Sequence, residues 1–513
     1  MTRALSIGYN RFKLLRNREK PIRSTINPIR KKRIILVGRE REIRELNRLY
    51  NRKRADLVAI YGRRRVGKTF LIDETFGSRI TFRHAGLSPV DQRPEGMLKA
   101  QLEHFYRSLK EQGMEKPEKP SSWMEAFYQL ECFLKQKDNG ERQLVFLDEM
   151  PWMDTPRSGF MQAFEGFWNN WACHRKNIMV IVCGSANSWI LDNLINNHGG
   201  LYNRVTYEIK LSPLSLQECE QLFRENGVRF SRYDIAQSYM IFGGIPYYLE
   251  YINAELSLAQ NVDYLFFSRS AKLANEFVRL FDSIFDDSET ARNIVRLLYT
   301  RNAGFTRSEI IENLQLPNGS RISRILNALT AGDFIIRYVP FGMSKRKVHY
   351  KLTDPFCLFW LHFLGEKTEL TEDYWQQRVT SQSVVVWRGY AFENLCFNHI
   401  PQIKRALGIS GVITSVSAWS KRSEDQEGTQ IDLLLFRNDN VVNMCELKYY
   451  GNEFTVDLQY YKKILYRQEL LLKDISAKYA VHSTLITTFG LKRNEYAGAF
   501  LKVVLLDDLF ERP

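Results

Sequence analysis

The chain has 513 residues, too long for one ordinary core and enough for two to four domains of about 100–200 residues each. A hydrophobic fraction of 44% with 13% aromatic residues excludes a disordered chain, and no apolar run reaches the ~18–20 residues of a membrane-spanning helix. The formal net charge is +15, and most of the excess lies between Met1 and Ile34, where eleven Lys or Arg stand against one acid, Glu19.

This basic arm, residues 1–34, reads as disordered and able to touch phosphates non-specifically. The plainer alternatives are a solvated tail or a start codon placed upstream of the true one. Its Arg-rich, acid-poor character also resembles an organelle transit peptide, without support from the rest of the chain, and no apolar block follows to make a secretory signal. The seven cysteines are scattered, odd in number and without CxxC spacing. They read as reduced thiols of a cytoplasmic protein, not as a disulfide or metal framework.

Between residues 35 and 211, short apolar runs alternate with helical patterns. The runs DLVAIYG, RITFRHA, QLVFLDE, NIMVIVCGS and VTYEIKL read as buried parallel strands joined by helices, an α/β pattern. VAIYGRRRVGKTFLID carries Gly62, four residues, then Gly67, Lys68 and Thr69, between an expected strand and an expected helix. That is the context of a phosphate-binding P-loop. Glycines let backbone N–H groups curl around phosphates, the helix N-terminus adds positive potential, Lys68 reaches the β and γ phosphates, and Thr69 holds Mg²⁺. QLVFLDEM supplies the partner: Asp148 for the Mg²⁺ shell and Glu149 to orient or deprotonate the attacking water. The aromatic residues of GFMQAFEGFWNNWACHRK fall at helical spacing and read as a helix packed on the sheet. His84, His174 and His198 have no partner at metal-ligand spacing.

VGRERE, IYGRRRVGKT, FLDEMPW, VCGSANSWI, LYNRVT and FGGIPYYL occur in this order. Together, over residues 35–285, they resemble the archaeal-type branch of the AAA+ and STAND P-loop ATPases. The resemblance implies that Gly38 and Arg39, within VGRE, lie near the adenine of ATP. It places Ser185, or else Asn187, as the polar γ-phosphate sensor, and Arg204 as an arginine finger. Gly244 and Pro246 match the turn linking nucleotide to a helical lid, residues 212–285. The plainer alternatives are a small residue at a strand end for Ser185 and a surface ion pair for Arg204. A finger supplied by a neighbour would imply a homo-oligomer.

Residues 286–351 read as helix, turn, helix and two strands around a turn. SRISRILNALTAGDFI is amphipathic, with Ser320 as its expected N-cap, Arg321 and Arg324 on its polar face, and the Lys345-Arg346-Lys347 loop beyond. This block resembles a winged helix-turn-helix, either a DNA reader or an interdomain packing module.

Residues 352–513 open with an aromatic helix, DPFCLFWLHFL, and resume strand and helix alternation. GTQIDLLLFRNDNVVNMCELKYY reads as strand, turn, strand. Asp432 is expected to begin the first strand, while Glu446 and Lys448 share a face of the second. Two carboxylates and a lysine converging there would suit a divalent cation, and Glu393 on an upstream helix is a third carboxylate. The plainer alternative is a strand end with two solvated charges. Glu393, Asp432, Glu446 and Lys448 resemble the set of the PD-(D/E)XK nuclease superfamily, with Gln459 matching an accessory glutamine more loosely. The proline of that name is absent, since Ile431 precedes the aspartate.

The expectation is therefore an α/β P-loop ATPase core with a helical lid, a winged helix and a restriction-endonuclease-like α/β domain. ATP and Mg²⁺ would serve the first site, Mg²⁺ or Mn²⁺ the second. The partner would be nucleic acid, DNA in the first instance, with no membrane, in defence, mobile-element biology or DNA processing. The rivals are a STAND-like switch with a non-cleaving nuclease-fold module and a DNA-binding regulator.

Overall fold

Five short strands form the first sheet: β1 (Asp56–Tyr61), β2 (Phe82–Ala85), β3 (Gln143–Asp148), β4 (Ile178–Gly184) and β5 (Tyr207–Lys210). In this computed structural model, which describes residues 36–88, 96–185, 187–196, 199–285, 287–343, 347–365, 371–421 and 429–512, all five run parallel in the order β2-β3-β4-β1-β5. The basic arm, Lys345, Arg346 and His198 lie outside the described residues.

Period-two alternation divides each strand between two cores. Val58, Ile60, Phe146 and Ile181 face one cluster; Leu57, Ala59, Val145 and Val180 face the other. Covering on both faces explains why the runs are continuously apolar, down to a fully buried β4. The aromatic helix Phe160–Asn170 packs on the second face, where Phe127 and Phe167 stack with centroids 5.3 Å apart.

A helical block follows, beginning with Leu216–Glu225 and Arg232–Phe242. Each is started by a reciprocal capping box, Ser215 with Glu218 and Ser231 with Asp234. Next come helix Ser288–Tyr299, β6 (Phe305–Thr306), helices Arg307–Asn313 and Ser320–Ala331, β7 (Ile335–Tyr338) and β8 (His349–Leu352). The three strands form an antiparallel sheet ordered β6-β8-β7.

Ser320 does not cap its helix as expected. Gly319 occupies that position, extended and without a side-chain cap, and Ser320 is the first helical residue. Arg307 Nη2 donates to the Gly319 carbonyl at 2.8 Å and fixes the entry instead. Ile322, Ile325, Leu326 and Leu329 are buried as the periodicity requires. The polar face carries Arg321, which pairs with Asp287 at 2.6 Å, and Arg324. Arg324, Asn327 and Thr330 line a cleft of about 380 Å³ with Tyr61, Asp192 and Lys210, so part of this face is turned toward the end of the first sheet.

After helices Pro355–Phe363 and Gln382–Asn398, the last sheet contains β9 (Thr414–Lys421), β10 (Thr429–Arg437), β11 (Val441–Lys448), β12 (Ala480–Thr487) and β13 (Lys502–Leu505). Its order is β13-β12-β11-β10-β9. β9, β10 and β11 are antiparallel, and β11, β12 and β13 are parallel. Helix Leu458–Asp474 provides the crossover from β11 to β12 that a parallel pair requires. One apolar cluster runs from Val37 to Phe510, so these blocks share a core across the whole described body.

Candidate functional site

The C-terminal ends of β1, β3 and β4 open on the same edge of the first sheet, where ligands of open α/β folds bind. Gly62 follows β1 with φ 150°, and a Cβ there would sit 2.2 Å from the Leu211 carbonyl. Only glycine fits that approach of the loop to the strand beyond. Gly67, φ 92°, turns the chain into helix Lys68–Phe76.

Lys68, 6% exposed, donates from Nζ to the Gly62 carbonyl at 3.0 Å and the Arg63 carbonyl at 3.2 Å. Thr69 Oγ1 donates to Asp148 Oδ2 at 2.7 Å, joining residues 79 apart in sequence. Glu149 adopts the left-handed region, φ 43°, and its Oε2 accepts from the Ser185 backbone N–H at 3.0 Å and from Ser185 Oγ at 2.9 Å. Ser185 is fully buried. Hydroxyl and carboxylate oxygen within hydrogen-bond reach of one another are the hard donor pair that Mg²⁺ takes beside a nucleotide. Thr69 and Asp148 therefore fit that ion, which would neutralise phosphate charge there.

The surrounding expectations fall out unevenly. Arg39 has φ 70° and donates from Nη2 to the Ser212 carbonyl at 2.7 Å, so it and Gly38 connect the chain's entry to the start of the helical block. Pro246 occupies the first turn of helix Pro246–Leu249, and the preceding Gly244 lies so close to Leu214 that a Cβ would meet its carbonyl at 1.9 Å. Arg204 is exposed in the turn Leu201–Arg204, bonded through its backbone N–H to the Leu201 carbonyl at 3.0 Å. Among the described residues its side chain makes no ion pair, so the plainer reading as a surface ion pair is not what the fold shows.

The second set of residues is brought together only in part. Lys448 Nζ lies 2.9 Å from Glu446 Oε1, as their shared strand face demands. Glu446 also receives Arg467 Nη1 at 2.6 Å and the Tyr460 hydroxyl, both from helix Leu458–Asp474. Burial opposes its charge, yet Lys448, Arg467 and Tyr460 prevail and hold its carboxyl below the usual range. Gln459, on that helix, is exposed; Tyr460 and Arg467 make the contacts in its place.

Asp432 does not begin its strand. It is the fourth residue of β10 and lies where the pairing with β9 shifts register, between Ile431 and Leu434. The ladder with β11 starts only at Leu433 opposite Cys445. Such an irregularity re-aims side chains. The Asp432 carboxylate accepts from Gln430, and its charge acts on Glu393, Lys351 and Tyr338. Glu393 accepts from Asn302 Nδ2 at 2.8 Å, and burial, followed by the Asp432 charge, raises its carboxyl to about 7. Asn302, Lys351, Tyr460 and Arg467 are the participants that motif reading passed over; the i, i+7 placement of Tyr460 and Arg467 on one helix face was the available signal. Among the described residues no group of three or more His, Cys, Asp or Glu is placed to hold a metal, so this set fits a divalent cation poorly as it stands.

The parallel sheet and the Lys68–Thr69–Asp148–Glu149 cluster define the class, a P-loop ATPase. Residues 36–252 match the family described as an ATPase domain predominantly from Archaea, which makes this segment an ATPase domain of archaeal type. The chain is 24% identical over 462 residues to "Uncharacterized protein MJECL04" of Methanocaldococcus jannaschii, covering 87% of this chain and 95% of that protein. A stretch of 39 residues, 8% of the chain and 66% of the relative, is 49% identical to "Uncharacterized ATP-binding protein MJ0423" of the same organism. The Walker-type ATPase Paby2304 of Pyrococcus abyssi is similar in structure with a TM-score of 0.44 and 20% identity, over 64% of this chain and 96% of that one. Among the described residues no helix is long and apolar enough to cross a membrane.

Proposed function

We propose that the chain is a Mg²⁺-dependent ATP hydrolase whose nucleotide state is passed through the winged helix to a C-terminal α/β module that engages nucleic acid. The supporting observation is the cluster in which Thr69 meets Asp148 and Glu149 meets Ser185. In this reading Lys68 leaves the Gly62 and Arg63 carbonyls for the β and γ phosphates. Glu149, held by Ser185 just past β4, orients a water toward the γ phosphate and takes its proton. Arg204, exposed beyond β4, would act as the arginine finger, either within its own chain or on a second copy. The segments 212–285, 286–351 and 352–513 serve as lid, winged helix and nucleic-acid module.

Two readings of that module differ in chemistry. The strand order around β10 and β11, with the Asp432 and Lys448 charges both acting on Glu393, supports a PD-(D/E)XK-like nuclease fold. The neutralisation of Glu446 by Lys448 and Arg467 favours a module that binds without cutting. The geometry supports the second reading better, so the ATPase is a switch and the module its output.

The deciding assay incubates the full chain with single- and double-stranded DNA and RNA, with Mg²⁺ or Mn²⁺, with and without ATP. Lys68→Ala should abolish ATP turnover, and no nucleic acid should be cut. Metal-dependent cutting that is lost in Lys448→Ala would replace the binding reading with the nuclease one.

A further inference from the structure

Three arginines follow Gly62 in the P-loop, and phosphate binding as described uses none of their side chains. Arg63 is fully buried, its Nη1 donating to the Asp354 carboxylate and its guanidinium lying 4.6 Å from the centroid of Phe334. Asp354 stands 291 residues away, just past β8, and also caps helix Pro355–Phe363 by accepting the Cys357 N–H at 2.7 Å. Arg65, φ 75°, pairs with Glu276 and lies 4.3 Å from the Tyr247 centroid. Glu276 is 2% exposed, begins helix Glu276–Asp282 and accepts the Tyr248 hydroxyl at 2.9 Å.

The loop is thus tied through alternate side chains to two carboxylates outside the five-stranded sheet. Between the ties lies the backbone that seats Lys68, because the Arg63 carbonyl is one of its two acceptors. A loop bounded by Gly62 and Gly67 has little conformational preference of its own. Guanidinium forks are suited to fixing it, being always charged and geometrically rigid.

We propose that Asp354 and Glu276 are positioning residues for ATP hydrolysis, holding the P-loop through Arg63 and Arg65 in the shape that presents Lys68 and the loop N–H groups to the phosphates. The proposal rests on the ATPase reading and adds its mode of control: displacement of the segment leaving the winged helix pulls on Arg63, and nucleotide entering the loop pushes back.

The test is a double-mutant cycle in the full chain, Arg63→Met with Asp354→Asn, and a second with Arg65→Met and Glu276→Gln. The second pair is less buried on the arginine side and guards against loss of folding. Steady-state ATP hydrolysis is measured well below each variant's Tm. Because small misplacement at a reacting centre costs up to ~100-fold, each single variant is expected to lower kcat/KM about 10-fold or more. Each double should lose about as much as one single, not the product, since partners in one interaction are non-additive. Variants that melt earlier yet keep kcat/KM within about twofold of wild type per folded molecule, or that lose activity additively, would overturn it. Lys68→Ala keeps the two claims separate. If wild type binds ATP but shows no Lys68-dependent turnover, the hydrolase reading fails, and the same cycles are read in the Kd for a fluorescent ATP analogue with the same criteria.

Discussion

Glu149→Gln separates the chemistry of the P-loop site from its architecture. The carboxylate Oε2 accepts two bonds, from the Ser185 N–H at 3.0 Å and its Oγ at 2.9 Å, and Ser185 is fully buried. An amide oxygen can accept both, so the end of β3 stays joined to the end of β4. What is lost is charge assistance, worth about 1 kcal/mol per bond and about 2 kcal/mol for the two, when bonds of ~1.5–3 kcal/mol become bonds of ~0.5–1.5 kcal/mol. The loss to hydrolysis is far larger, because an amide cannot take a proton from water: a positioned general base contributes about 10²–10⁴-fold. The expected variant binds ATP with Mg²⁺ near wild-type affinity, melts a few degrees earlier and releases phosphate at least about 100 times more slowly. Phosphate release and the Kd of a fluorescent ATP analogue measure the two quantities. A kcat within about threefold of wild type would refute the assignment of Glu149 and move the base elsewhere.

Three further outcomes follow from burial and charge. Gly244→Ala puts a Cβ 1.9 Å from the Leu214 carbonyl, while the Leu214 N–H is already bonded to the Gly244 carbonyl at 2.6 Å. Neither backbone can give, so urea denaturation should show a loss of about 3 kcal/mol, and a loss below about 1 kcal/mol would mean that the turn is soft. His399 is fully enclosed, accepts the Leu216 N–H on Nε2 at 3.1 Å, and burial lowers its imidazole to about 4. A depressed pKa gives stability that is full above the unfolded value of ~6.5 and is lost as pH falls toward about 4, up to about 3 kcal/mol in all. The stability difference between wild type and His399→Gln should therefore shrink across that interval and stay flat from pH 7 to 8. Glu393 has the opposite sign: raised to about 7, it favours the folded state below the unfolded value of ~4.3 and loses up to about 4 kcal/mol as pH rises through 7. Glu393→Gln, measured in EDTA, should gain on wild type between pH 5 and 8; a constant difference would place the carboxyl in water.

Much of the first site was legible because its chemistry is local. Gly62, Gly67, Lys68 and Thr69 lie within one strand-turn-helix, and the Asp148–Glu149 pair ends a run whose apolar character already marks it as a buried strand. A parallel strand end is where such residues meet, so pattern alone brought Thr69 and Asp148 together. The C-terminal set was less legible, because its members depend on register. Lys448 and Glu446 share a face by period, and they pair. Asp432 lies at a register shift, and one extra residue in a strand changes which way a side chain points.

The sequence by itself determined the elements and the phosphate cradle: side-chain periods of two and 3.6, glycines at forced turns, and capping residues are written in neighbouring positions and act over a few residues. Only the tertiary structure decided what the P-loop arginines do, that Asn302 bonds Glu393, and that Glu446 is enclosed by Arg467 and Tyr460. A charge in a sequence has no address until burial removes water and forces it onto whichever opposite charge the packing places nearby. For Arg63 that partner is Asp354, an aspartate 291 residues away that no local pattern connects to it.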